Sequence, residues 1–308
     1  MPPHRIDPFA AEGEWVRCAL HAHTTRSDGE LEPEALAAHY ASAGFDVLAI
    51  TDHWKRTDAA SNGRLLVLPS VELNCILPAA RDGHVLGFGI SADADLASLG
   101  AEYADLERTA AFIVEHGGVA YLAHPHWTGA TPGTLELPEN VAGIEIWNAG
   151  CELEVGRGLS SVHWDELLET GRRCFGLVTD DSHHPGLDSG HGWTWLRVPE
   201  RGAEAVLAAL HGGSFYGSSG PMLHDVVLDG EDVEVRCSPA RAVTLVAGRT
   251  EGAAVNAVRS GYRFGGEVLA TDGEGYVTHA RLTKPFAASF ARIEVTDAAG
   301  CRAWTNPL

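Results

Sequence analysis

The run His21-Ala-His23-Thr-Thr-Arg-Ser-Asp28-Gly29 follows directly on an apolar stretch, residues 16–20. Two histidines at i and i+2 leaving a strand end can converge on one cation once the chain curls into a loop, and a nearby carboxylate adds a hard oxygen donor. H-x-H by itself is weak, because two histidines on one strand face share the spacing. The same residue types recur, however, where further apolar runs end: Thr51-Asp52-His53, Pro69-Ser70 leading to Glu72, Ala123-His124-Pro125, and Thr179-Asp180-Asp181-Ser182-His183. Unrelated surface or capping residues would have to coincide at five strand ends. The chemistry implied is metal-assisted hydrolysis, in which two ions about 4 Å apart acidify a shared water and neutralise charge at the attacked centre. No G-x-S-x-G elbow, Walker A loop or G-x-G-x-x-G fingerprint offers covalent or nucleotide-cofactor chemistry instead.

The elements that must position these residues alternate. Strands are expected at 16–20, 47–50, 65–68, 85–90, 119–122, 144–147, 174–178 and 194–198. Between several of them lie helical patterns: Pro33 to Gly44, with Leu36, Tyr40 and Ala43 on one face; Leu106, Ala110 and Ile113 before Gly117; and Ala203, Val206, Leu207 and Leu210 before Gly212. Such alternation predicts a mainly parallel sheet or barrel with right-handed crossovers, whose C-terminal strand ends gather at one rim. His84 stands apart, since it precedes its apolar run and reads equally as a hairpin residue. From Met222 the helical patterns stop, and short stretches at 226–228, 233–235, 243–246, 276–282 and 291–295 alternate with turns such as Asp229-Gly230 and Asp272-Gly273. A small antiparallel β-sandwich is expected there.

Composition bounds the partners. Among 308 residues, 22 Lys and Arg face 42 Asp and Glu, a formal charge of −20 that argues against a basic nucleic-acid or membrane surface. Six dispersed cysteines with no C-x-x-C pair fit a reducing compartment. No apolar run reaches the roughly 18 residues of a membrane span, and residues 1–14 lack the order of a signal peptide, so a cytoplasmic protein is expected. The 16 histidines are the anomaly that a metal site would explain.

H-x-H-T-x-x-S-D-G, then I-T-D-H, a Glu-bearing strand, H-V-L-G-F-G, A-H-P and D-S-H resemble, in order, the PHP family of polymerase and histidinol phosphatase domains. The chain further resembles the branch containing the carbaryl-type carbamate hydrolase, through Ile144-Glu-Ile-Trp-Asn148, Trp164-Asp-Glu-Leu, Phe215-Tyr-Gly-Ser-Ser-Gly220-Pro221 and the closing Ala303-Trp-Thr-Asn-Pro307. The resemblance implies an N-terminal tail (1–14), a distorted (β/α)7 TIM-like barrel (15–220) and, after it, the β-sandwich domain (221–308). It implies two or three divalent ions, zinc, manganese or iron. His21, His23, Glu72 and Asp181 would hold the first, with Glu72 bridging to a second at His84 and His124. Asp28, His53 and His183 would hold a third. A hydroxide bridging the ions at Glu72 and Asp181 would be the nucleophile, and Asp180 would orient a ligand histidine.

Around this set, His126, His163, His184 and His191 are candidates for the acid that protonates the leaving group. Arg26, Lys55 and Arg56 are candidate anion binders, Asn74 and Asn148 candidate substrate donors, and Trp54, Trp127, Trp193 and Trp195 a candidate apolar wall. The expected function is hydrolysis of small, anionic phosphate mono- or diesters. Cleavage of a carbamate or carboxylic ester by the same metals, an exonuclease acting on nucleic-acid ends, and a non-catalytic metal-stabilised binding module are the alternatives. Metal-replete turnover of esters separates the first two from the last, and salt-dependent shortening of oligonucleotides would mark the nuclease.

Overall fold

Short strands buried on both faces set the centre of the molecule. The computed structural model describes residues 4–5, 8–61, 63–78, 81–100, 104–257, 263–285 and 288–308, so residues 1–3 and 6–7 of the expected N-terminal tail lie outside the described residues. The first ten strands are β1 (His4–Arg5), β2 (Glu14–Ala19), β3 (Val47–Ile50), β4 (Leu66–Leu77), β5 (Arg81–Phe88), β6 (Val119–Leu122), β7 (Val141–Asn148), β8 (Phe175–Thr179), β9 (Trp193–Val198) and β10 (Phe215–Ser218). Helices α1 (Pro33–Ser42), α2 (Leu106–Glu115), α3 (Ala149–Val155), α4 (Ser161–Glu169), α5 (Pro185–Asp188) and α6 (Ala203–Gly212) lie among them. Every residue of β3, β6 and β8 is buried, as parallel strands covered on both faces require.

Nine further strands follow: β11 (Leu223–Asp229), β12 (Asp232–Ala240), β13 (Ala242–Ala247), β14 (Gly252–Asn256), β15 (Arg263–Phe264), β16 (Gly266–Thr271), β17 (Val277–Thr283), β18 (Ala291–Thr296) and β19 (Arg302–Thr305). One sheet runs β15-β14-β13-β18-β19-β10-β9-β2-β3-β4-β5-β6-β7-β8, and a second runs β1-β11-β12-β17-β16. The pairing of β10 with β19 thus carries the large sheet without interruption into the last part of the chain. There the two sheets share an apolar core, with Val226, Val233 and Leu282 from one and Val243, Leu245 and Ile293 from the other.

Within the first part, side chains divide by alternation. Val16, Cys18, Val47, Ala49 and Leu177 join one cluster, whereas Ala19, Leu48 and Ile50 pack with Leu36, Ala37 and Tyr40 of α1. The ends of the β2–β8 run approach each other: Ala22 bridges Ser182 in parallel, and Thr194 Oγ1 of β9 accepts from Val178 N (3.3 Å) and donates to Val178 O (2.9 Å). No helix among the described residues is long and apolar enough to cross a membrane.

The sheet departs from the mainly parallel expectation at two places: β9 pairs antiparallel with both β2 and β10, and the strands around β5 form a hairpin. β4 runs on past residue 68 to Leu77, turns back within a few residues and pairs antiparallel with β5, which pairs antiparallel with β6. Ser70, Glu72 and Asn74 break the apolar pattern and hide this extension, and the connection is too short for a crossover helix.

Candidate metal centre

β2, β3, β6 and β8 are parallel members of the run and release their chains on one side of the sheet, where the loops are tied to one another. Asp52, just after β3, accepts from Thr24 N (2.7 Å), Thr24 Oγ1 (2.6 Å), Ser27 Oγ (2.7 Å) and Thr57 Oγ1 (2.5 Å), which curls the His21–Asp28 loop back over the sheet. A Cβ on Gly29 would stand 2.2 Å from His23 O, so this curl needs glycine. β5 runs the opposite way and presents its beginning to the same side, which is why His84 precedes its apolar stretch. His84 faces Asn74 across the β4–β5 ladder, two residues beyond Glu72.

Glu72 lies at the centre. Its Oε2 is 3.1 Å from His21 Nε2, 3.2 Å from His23 Nε2 and 3.4 Å from His53 Nδ1; its Oε1 is 2.8 Å from His84 Nδ1 and 3.2 Å from His124 Nε2. Asp181 Oδ1 lies 3.1 Å from His21 Nε2 and 3.2 Å from His23 Nε2. Asp28 meets His23 Nδ1 and His183 Nε2 at 3.5 Å and His53 Nε2 at 3.6 Å. The structure therefore brings together all nine residues expected as ligands. They fall into four overlapping groups whose donor atoms lie within 4.8 Å of one another: His21-His23-Asp181, His21-Glu72-His124, His53-Glu72-His84 and His23-Asp28-His53-His183.

Two observations fit divalent cations at this place. Buried His23 Nε2, His53 Nδ1 and Asp181 Oδ1, which face the cluster, make no hydrogen bond, a cost that a coordinated ion would offset. Trp54, His124 and Asp181, all in these loops, adopt the left-handed backbone region (φ 56°, 24° and 55°), strain of the kind that collects at functional sites.

The electrostatics follow from packing acids against imidazoles. Burial opposes a charged His21, but Asp181, Glu72 and Glu145 outweigh it and raise its pKa well above the ordinary value. His23, equally buried but with the Asp181 and Glu72 carboxylates close by, rises to about 9. Against the same burial, His21 holds both Glu72 and Asp181 well below the usual carboxylate range. The hydrogen bond from His183 lowers Asp28, whereas burial wins at His53 and lowers it.

Comparison with solved structures now places the architecture. A two-domain protein from Bacteroides vulgatus, described as containing a predicted PHP-like metal-dependent phosphoesterase, aligns over 100% of this chain and 99% of its own at 14% identity and a TM-score of 0.54. The chain shares its fold with a PHP-like protein. A putative metal-dependent phosphoesterase from Bifidobacterium adolescentis (15% identity, 59% of this chain and 90% of that one, TM-score 0.43) and a lesion-specific endonuclease from Pyrococcus furiosus (12%, 86% and 68%, 0.46) are more distant and carry no argument. No family model and no curated protein match the chain.

Within this PHP-like fold, several residues stand elsewhere than expected. Asp180 reaches no ligand histidine; it accepts from Gly190 N (2.7 Å), His191 N and Gly192 N (2.8 Å each) and Tyr40 Oη (3.1 Å), and burial pushes it up to about 6. The residue that does hold a candidate ligand is Glu145, to which the sequence reading gave no role. Its Oε1 accepts from His21 Nδ1 (2.8 Å) and Thr179 Oγ1 (2.6 Å), and its Oε2 from His124 N (2.8 Å) and Asn148 Nδ2 (2.9 Å). The available signal was one carboxylate inside the apolar run 144–147, where a buried charge must be paired. Asp188 was missed too; it holds Ser182 Oγ, His183 N and His184 N at 2.6–2.8 Å.

Of the four acid candidates, only His184 borders the cavity over the cluster. His126 donates to Leu159 O (3.0 Å), His163 to Ala130 O (2.8 Å) and His191 to Leu187 O (3.2 Å), all outside it. Asn148 spends its amide on Glu145 and Asp181 Oδ2 (3.1 Å), and Asn74 accepts from Trp54 Nε1 (2.7 Å) and donates to His84 Nε2 (3.1 Å), so both orient protein groups. Among the four tryptophans only Trp127 lines the cavity; Trp193 stacks on the Arg17 guanidinium and Trp195 packs in the core near the C-terminus.

That cavity, about 480 Å³, has the cluster on one side and the exposed apolar side chains Trp127 (39%), Leu153 (59%) and Leu187 (77%) on the other. No Lys or Arg among the described residues lines it: Arg26 pairs with Glu32, Lys55 donates to Arg26 O, and Arg56 donates to Ile90 O and Asp58. Cys151 borders the cavity, but burial and then Asp181 push its thiol up, which removes it as a thiolate nucleophile.

Proposed function

We propose that this protein is a metal-dependent hydrolase of small phosphate esters. The reading takes the β2–β8 run as a distorted seven-stranded barrel (15–220) of the PHP kind, with a β-sandwich domain (221–308) behind it, in a reducing cytosol. The observation that carries it is the convergence of nine nitrogen and oxygen donors, three of them buried and unbonded, on one side of a cavity wide enough for a small ester.

His21, His23, Glu72 and Asp181 would hold one cation, Glu72 with His84 and His124 a second, and Asp28, His53 and His183 a third. Divalent ions here supply Lewis acidity and bring a water's pKa towards neutrality. The chain supplies the rest. Glu145 keeps the His21 proton on Nδ1, so that Nε2 presents its lone pair to the cluster. Asn148 fixes Asp181 through Oδ2 and leaves Oδ1 free to ligate. His184, at the cavity edge with Nδ1 3.5 Å from Glu30 Oε2, is the group placed to deliver a proton to the leaving oxygen.

Purified protein replete with zinc, manganese or iron should hydrolyse members of a phosphomonoester and phosphodiester panel, and His21→Ala and Asp181→Asn should abolish turnover. Absence of hydrolysis across the panel, with both variants indistinguishable from wild type, overturns the reading.

A second reading keeps the metals and changes the bond to a carbamate or carboxylic ester. The absence of Lys and Arg from the described cavity lining and its apolar rim favour it, since an uncharged ester needs no side-chain cation. Aryl phosphate and aryl carbamate compared on one preparation decide between the two: whichever is turned over with the larger kcat/KM names the bond.

A further inference from the structure

A second cavity, about 440 Å³, is bordered by Ala149, Glu152 and Leu153 of α3, and Leu153 borders both cavities. Its walls come from segments that the pairing of β10 with β19 brings together: Trp147, Leu159, His191 and Ser219 from the first part of the chain, Cys301, Arg302 and Trp304 from the last. None of the nine candidate ligands reaches it, and the hydrolysis proposed above makes no use of it.

Its chemistry is specific. The partly exposed indole of Trp147 stacks on that of the buried Trp304 at 6.2 Å with 27° between their planes, so the Trp147 ring is held in place before any ligand arrives. Among the polar wall residues, Ser219 Oγ is engaged with Arg302 N (2.9 Å), His191 Nε2 with Leu187 O, and Glu152 Oε2 with Gly158 N (3.0 Å). The Arg302 guanidinium is different. It is partly exposed and meets a carboxylate, Glu294, only at 3.9 Å. A flat aromatic face beside a weakly engaged guanidinium is complementary to a flat ring bearing one carboxylate, which the guanidinium can take in a two-point hydrogen bond.

We propose that this cavity is a second small-molecule site, separate from the metal cluster, that binds a planar aromatic carboxylate. Cys301 supplies a reporter, because it lines the cavity while the other five cysteines are buried.

The experiment uses metal-loaded protein, 2-naphthoate as probe and iodoacetamide as a small uncharged alkylating agent, with modification of Cys301 read by peptide mass spectrometry. Naphthoate at about ten times its Kd should slow alkylation about tenfold, and the effect should persist when inorganic phosphate saturates the metal cluster. Uncharged 2-naphthamide should protect far less. Arg302→Gln should lose the naphthoate effect, and Ala299→Trp, at an exposed wall position where the new ring fills the cavity, should slow alkylation without ligand and abolish any further effect of naphthoate. Alkylation unchanged by millimolar naphthoate, protection removed by phosphate, or full protection retained in Arg302→Gln or in Ala299→Trp overturns the proposal. Should Arg302→Gln fail to fold, Ala299→Trp decides alone.

Discussion

Glu145 and Asp180 are both buried carboxylates with four hydrogen-bond donors around them, yet they face different tasks. Glu145 serves His21 and the backbone of His124; Asp180 pins residues 190–192. Replacing either by its amide turns an acceptor pair into one acceptor and one donor, and leaves buried N–H or O–H groups unpaired at about 1–3 kcal/mol each. Denaturant unfolding should therefore show both Glu145→Gln and Asp180→Asn destabilised. Their metal behaviour should diverge: Glu145→Gln should lower metal affinity about 10–100-fold, read by titration against a competing chelator, while Asp180→Asn should retain wild-type affinity. Equal affinity loss in the two would refute the division of roles. Protons enter at the same scale. His23 is raised from 6.5 to about 9, so its contribution to the stability of the metal-free chain is complete below pH 6.5 and is lost as pH rises through 9. Glu72 and Asp181 are lowered, so their contribution is present above 4.5 and 3.8 and disappears as pH falls further. An entering ion must displace the His23 proton, and its apparent affinity should climb between pH 6.5 and 9 with proton release. Calorimetric titrations in buffers of different ionisation enthalpy measure that release, and a flat affinity across this range would contradict it.

At the scale of elements, α3 joins the sheet to the cluster through one residue. Asn148 ends β7, caps α3 by accepting from Cys151 N (2.9 Å), and donates to Asp181. Asn148→Ala removes cap and bridge together, and should cost about 1 kcal/mol from the cap alone together with much of the activity. Asn148→Ser restores a capping oxygen but cannot span to Asp181. Thermal unfolding of the serine variant should therefore recover towards wild type while its kcat/KM stays low, and recovery of both would show that the bridge is dispensable. The same elements explain what could be read beforehand. β3, β6 and β8 were legible because a strand buried on both faces is apolar throughout, and the ligand motifs were legible because they recur at strand ends. The far half of β4 was not, since Ser70, Glu72 and Asn74 are polar groups, the last two in or beside the cluster, that erase the strand pattern. Glu145 was hidden in the opposite way, as a charge in a run whose hydrophobicity marked only a strand. Asp180 and Asp181, adjacent in sequence, were separated by the D-x-H spacing of Asp181 with His183, but where Asp180 points was not legible, since that depends on the turn after β8, where Asp181 takes a positive φ and the two carboxylates face different partners.

For the molecule as a whole, the cluster is a concentration of like donors that the fold must hold together. Three carboxylates and six histidines are gathered within a protein of formal charge −20, and their loops are held chiefly by side-chain hydrogen bonds to Asp52, Glu145 and Asp188 rather than by regular ladders. Ions bound there bind only the folded chain, so an ion present at about 100 times its Kd contributes about 2.7 kcal/mol. In a chain of this size that corresponds to a shift in Tm of about 4 °C for each such ion. The continuous sheet sets how the loss will appear. β2 to β8 pass into β19 through β9 and β10, and Trp147 stacks on Trp304 across the same junction, so the strands that carry the cluster and the C-terminal strands share hydrogen bonds and packing. Chelation should accordingly move one calorimetric transition to lower temperature as a unit, and restored metal should move it back. Two transitions, of which only the lower responds to chelator, would mean that the shared sheet does not couple the two parts and that the cluster stabilises its own half of the chain alone.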